Sequence, residues 1–261
     1  MTTEPSTRGS VGAIILRLTV VLSALSAGWV AWSHQSSVNG WLFMGLGTSE
    51  AFAVNVERWA ALVLLFSSLS LMWKPTWIAC GLIFAWLLML AVTTRIQAGE
   101  AFAYLAPASH AIRFVAPISL MLLHLGRSGL AFGFLRFAIA ITFVAHGYEA
   151  LQHHPQFIDL LIPSVRRQFG VRLREDDARL ILSLIGCIDI ALAAALCFRR
   201  WRWIAAYMAA WGAITLVSRM SAWGLERWPE SATRLANFGA PLALYYYWRD
   251  LARVKPPASS R

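Results

Sequence analysis

Apolar runs recur along almost the whole chain, each roughly 15 to 20 residues long and set off by short charged or proline-containing breaks. A helix needs about 20 mostly apolar residues to cross about 30 Å of hydrocarbon, so this spacing predicts an all-α, polytopic membrane protein. Windows between the breaks give about eight transmembrane helices, over 11–32, 58–73, 76–94, 111–125, 135–151, 178–198, 203–218 and 235–248. The stretches 33–57 and 152–177 are left as long loops. Arg17 interrupts the first run and no small-residue cleavage site follows, which points to a retained span rather than a secretory signal.

The pattern also repeats. Arg17-LTVVLSALSAGWVAW matches Arg136-FAIAITFVAHGYEAL, with Gly28-Trp29 and Gly147-Tyr148 in register 119 residues apart. Trp77-Ile-Ala recurs as Trp203-Ile-Ala, Thr94-Arg95 as Ser218-Arg219, and Ala116-Pro117 as Ala240-Pro241. The chain therefore reads as two parallel four-helix repeats, 1–126 and 127–261, related by an axis along the membrane normal because each holds an even number of helices. At the positions of His146 and Glu149 the first repeat has Ala27 and Val30, so the first reads as scaffold and the second as the carrier of a polar site.

Composition narrows the classes. The 261 residues are 58% hydrophobic and 14% charged, which leaves no stretch for a soluble domain. The net charge of +10 sits at span ends, where it sets orientation rather than marking a nucleic-acid surface. Its distribution predicts cytoplasmic termini in a bacterial inner membrane, with 33–57 and 152–177 outside. Cys80, Cys187 and Cys197 are widely spaced within apolar runs and form neither a disulfide framework nor a CxxC pair. Tryptophans at span ends, among them Trp59, Trp73, Trp77, Trp203 and Trp248, read as interfacial belts.

Against this background, ionisable residues inside the spans stand out: His146 and Glu149 in FVAHGYEAL, Asp189 in IGCIDIALAA, and Arg219 in AITLVSRM. Such groups are costly in hydrocarbon and face a protein interior with a task to perform. At 3.6 residues per turn His146, Glu149 and His153 form one stripe, while Gln152 and His154 point elsewhere. Asp189 lies at a depth similar to His146 on the next helix, so the two are expected to meet near mid-membrane. Arg219 and Glu149 sit nearer the outer face, Arg219 with snorkelling to headgroups as its plain alternative.

At RFAIAITFVAHGYEAL the chain resembles the DoxX-like membrane proteins, in which an Arg opens a four-helix unit and a His-Gly pair follows. The corresponding residues here are Arg136, His146 and Gly147. The resemblance covers about 135–250 and implies a place beside quinones and redox partners. The expectation is a quinone-interacting membrane subunit of a respiratory or periplasmic oxidoreductase, handling ubiquinone or menaquinone beside a periplasmic or membrane redox protein. His146, Glu149 and Asp189 would be catalytic, and His146, Tyr148, His153 and Arg219 would hold the quinone. Other readings stay open: a metal site at His146, Glu149 and His153, haem with His110 or His124 as an axial partner, a membrane anchor or assembly factor, and a transporter. For haem, His110 is expected to be poorly matched in depth to His146.

Overall fold

The computed structural model describes residues 10–33, 36–97 and 101–254, and these form helices and short turns without a strand. Nine helices of 14 residues or more are found among them: α1 (Val11–Trp32), α2 (Glu50–Trp73), α3 (Trp77–Ile96), α4 (Ala111–His124), α5 (Ser128–Leu151), α6 (Pro155–Phe169), α7 (Glu175–Phe198), α8 (Arg202–Trp223) and α9 (Leu235–Val254). Six helical stretches are long and apolar enough to cross a membrane: α1, α2, α3, α5, α7 and the run Ala103–His124 that ends in α4. The protein is thus an all-helical, multi-pass membrane protein, and its exposed large side chains, such as Trp73, Phe66 and Phe198, form the apolar exterior expected toward lipid.

Local chemistry sets the starts of these helices. Ser10, Ser49 and Thr76 each accept a hydrogen bond from the backbone N–H three residues on, satisfying a donor that the helix itself leaves unpaired. The Ser49 cap starts α2 eight residues before the expected boundary at 58, inside the segment taken for a loop. Glu57 made that stretch look polar, yet it is fully buried and accepts from Ser36 Oγ and, at 3.0 Å, from Asn39 Nδ2. The other expected loop, 152–177, contains the amphipathic helix α6. Trp248 departs from the interfacial belt: it is buried, with the Arg136 guanidinium 5.7 Å from its ring centroid.

Packing follows an exchange between the two halves of the chain. α1 lies between α2 and α9, and α5 lies between α7 and α4, while α3 backs α4 and α8 backs α9. The first helix of each half is therefore held by the last helix of the other. Arg17 donates its Nε–H to the Leu71 carbonyl at the end of α2, and Arg136 donates to the Leu196 and Cys197 carbonyls at the end of α7, at 2.6 and 2.7 Å. Both arginines satisfy carbonyls that a helix C-terminus leaves unpaired.

The α5–α7 contact depends on two glycines. A Cβ on Gly186 would lie 2.5 Å from the Gly147 carbonyl oxygen, and one on Gly147 would lie 3.0 Å from that of Gly186. Gly186→Ala should push the helices apart and destabilise the protein by about 1–3 kcal/mol, the usual cost of overpacking. Gly81→Ala, in α3 where nothing lies within 4 Å, should leave stability unchanged or raise it slightly. Thermal unfolding of the two variants in detergent measures the difference.

Candidate functional site

The end of α5 supplies the central pair. His146 and Glu149 are one helical turn apart, and His146 Nδ1 lies 2.9 Å from Glu149 Oε2. The Glu149 side chain is nearly sealed from the surroundings, whereas His146 retains 22% exposure, so the imidazole is the accessible member.

α5 then stops in a way that redistributes the histidines. Gln152 is the C-cap, His153 adopts a left-handed conformation at φ 54°, the His153 N–H reaches the Ala150 carbonyl and the His154 N–H reaches that of Glu149. This is a Schellman motif with a histidine where glycine is usual, and Pro155 next begins a new helix. The stripe expected for His146, Glu149 and His153 is broken as a result. His153 turns away and its Nε2 lies 2.9 Å from Ser183 Oγ on α7. His154, expected to point elsewhere, is buried against the pair. Its Nδ1 accepts the Gln156 N–H that opens α6, so the neutral ring carries its proton on Nε2.

His146, Glu149 and His154 line a cavity enclosing about 450 Å³ including its open mouth, and His153 does not. Its polar wall is His110, His146, Glu149, Arg219 and Arg234. Its aromatic wall is a stack in which the His154 ring lies 5.1 Å from both Phe102 and Phe157, with Phe157 6.1 Å from His146. Phe102 is held at φ 62°, a left-handed conformation costly for a bulky residue, and its ring also packs edge-on against Tyr148. The lining comes from both halves of the chain: Thr94, Phe102, Ser109 and His110 belong to the half read as scaffold.

Each wall has an identifiable support. Thr142 on α5 accepts the Ile112 N–H and donates to the Ala108 carbonyl, both at 3.2 Å, which fixes His110 beside the pair. His110 thus shares the level of His146, contrary to the depth mismatch expected for it, because the turn before α4 is tied directly to α5. α6 is strapped to α8 by Ser164 Oγ on the Ser218 carbonyl at 3.0 Å and Arg167 Nη1 on that of Ser221 at 2.5 Å, which brings Phe157 over the cavity. Arg219 does not snorkel. α8 continues to Trp223, so Arg219 is only 8% exposed, with its guanidinium 5.2 Å from the Trp223 ring centroid.

Asp189 stands apart from the cavity. It is buried where α7 meets Gly147, its Oδ1 has no hydrogen-bond partner, and its polar neighbours are Trp211 and Tyr207 of α8. Among the described residues no three His, Cys, Asp or Glu side chains converge as a metal set. A second, open cavity, of about 610 Å³ including its mouth, lies between Trp29, Val30 and Ser33 near the end of α1 and Glu226, Arg227 and Glu230. Val30 occupies there the place that Glu149 has at the end of α5.

No protein-family model, curated protein or solved structure matches this chain. The repeat register bears on Arg234, which its residue type alone did not mark, and on His110, which was expected only as a haem partner. His110 and Arg234 are separated by 124 positions, the offset of Arg95 and Arg219, so extending the match would have singled out both. Pro155 was the available sign that α5 ends before His153.

Replacing His154 by Ala should remove two ring contacts and a helix cap, lowering stability by about 1–2 kcal/mol. His153→Ala, which removes one partly exposed bond, should cost about 1 kcal/mol or less. Thermal melts of the two variants check the order.

Proposed function

We propose that the protein is a quinone-interacting subunit of a membrane oxidoreductase and that the His146 cavity receives the quinone head. The observation that carries this reading is the bonded His146–Glu149 pair facing an aromatic wall in a cavity between helices. His146 is the exposed member and donates to or accepts from a quinone oxygen, while Glu149 sets its orientation and exchanges the proton. Arg219 offers a second donor, and Phe157 and His154 give the ring a face to stack on. Full reduction of a quinone takes two electrons and two protons. In this reading the electrons come from a partner redox protein and the protons pass through the His146–Glu149 pair.

The membrane arrangement belongs to the same proposal. Counting α8 and α9 with the six apolar helices gives eight spans in two parallel four-helix repeats, with α6 lying along the outer surface. The exchanged packing of α1 with α9 and α5 with α4, the matched roles of Arg17 and Arg136, and the two cavities at equivalent helix ends support it. The basic bias of the loops supports cytoplasmic termini in a bacterial inner membrane, and the α5 segment supports the DoxX-like assignment.

His146→Ala should abolish retention of quinone in protein extracted with its native lipids while leaving the folded yield intact; quinone content per protein, read by chromatography, tests this. Wild-type quinone content in the variant would refute the assignment. For the topology, single cysteines placed at Gly170 and Arg200 in a background without native cysteines should be labelled from outside and only after permeabilisation, respectively. Labelling of both from one side would remove the eight-span reading.

A further inference from the structure

The second cavity has the walls of a binding site, and the quinone reading leaves it unused. One wall is the end of α1, a helix long and apolar enough to cross a membrane, so Trp29 in its last turn falls near the level of lipid headgroups. The other wall is the pair of short helical turns after α8, Leu225–Arg227 and Trp228–Ala232. Ser26 Oγ on α1 donates to the Pro229 carbonyl at 2.5 Å, which ties the two walls together. The Trp29 indole lines the cavity and stays half-exposed, with the Trp228 ring 6.2 Å away and tilted by 36°. Across from it lie two carboxylates. Glu230 is engaged, its Oε1 2.5 Å from Arg227 Nη1. Glu226 acts on Arg227 only through space, and among the described residues no hydrogen bond or ion pair occupies its carboxylate.

We infer that this cavity binds a methylated ammonium group of the choline type, with Trp29 packed on its methyl groups and Glu226 opposing its charge. Such a cation has no N–H to donate, so it is recognised by an aromatic face and a nearby carboxylate rather than by a cage of acceptors, and indole is the strongest of the aromatic faces. Other ligand classes fit the walls less well. An anion would meet both carboxylates, and a bare metal ion would lack a ligand set, since among the described residues no three His, Cys, Asp or Glu side chains gather. The group can arrive as a soluble quaternary amine or as a lipid headgroup. This goes beyond the quinone reading and stands without it, because Val30 replaces Glu149 here and the two cavities share no lining residue.

The test uses the full chain in nanodiscs of phosphatidylglycerol, with thermal unfolding followed in tetramethylammonium chloride and in sodium chloride at equal ionic strength. A second arm compares discs doped with phosphatidylcholine against discs doped to the same level with phosphatidylethanolamine, whose ammonium carries no methyl groups. The readout is the ligand-dependent shift rather than baseline stability, so a weakened variant still reports. Wild-type protein should be stabilised in at least one arm. The response should weaken by about fivefold or more in W29L and in E226Q, and stay unchanged in W73L, which removes an exposed tryptophan at the far end of α2. Stabilisation by tetramethylammonium assigns a soluble ligand, and stabilisation by phosphatidylcholine alone assigns a lipid headgroup. Absence of a shift in both arms, or an undiminished shift in either W29L or E226Q, overturns the inference.

Discussion

The close approach of α5 to α7 governs the rest of the second half of the molecule. Gly147 and Gly186 let the two backbones meet where any side chain would hold them apart, and that contact fixes the rotation of α5 about its axis. With Gly147 turned to α7, His146 and Glu149 are directed toward the turn before α4, and Thr142 is placed to bond that turn. The candidate site is therefore a consequence of helix packing at its neighbours. Its residues occupy the rim of a contact whose centre is made of glycine.

The exchange of helices between halves has a second effect. Because α5 packs on α4 as well as on α7, the space at its end is closed by residues from both halves of the chain. A single four-helix unit would have no counterpart to the Phe102–His110 segment over the same pair. Several groups that would be costly in lipid share one sheltered place, where His146 is bonded to Glu149 and His154 is stacked on Phe157. The equivalent place at the end of α1 holds Val30 in the position of Glu149, and its charged groups, Glu226, Arg227 and Glu230, lie on the short helical turns that follow α8.

Several features of the candidate site were legible from residue type alone. His146, Glu149 and Arg219 were marked by being ionisable within apolar runs, and the cavity brings all three together. Spacing was less informative where the backbone changed course. His153 and His154 exchanged their expected roles because a Schellman motif ended α5 at Leu151, and periodicity cannot foresee a left-handed residue that is not glycine. Glu57 misled the boundary of α2 for a related reason: a buried carboxylate and a loop carboxylate look the same until its donors, Ser36 and Asn39, are located.

The sequence by itself determined the helical, membrane-crossing character of the chain, since runs of apolar residues must bury their backbone polar groups in helices wherever water is absent. It also determined which ionisable groups would need shelter. The tertiary structure alone decided which of them share a chamber: Asp189 was set against α8 while His110, His154 and Arg234 joined His146. Depth along a helix can be counted from the sequence, but the direction a side chain faces depends on how its helix is rotated against its neighbours. That rotation is fixed by packing between helices, as where Gly147 of α5 meets Gly186 of α7.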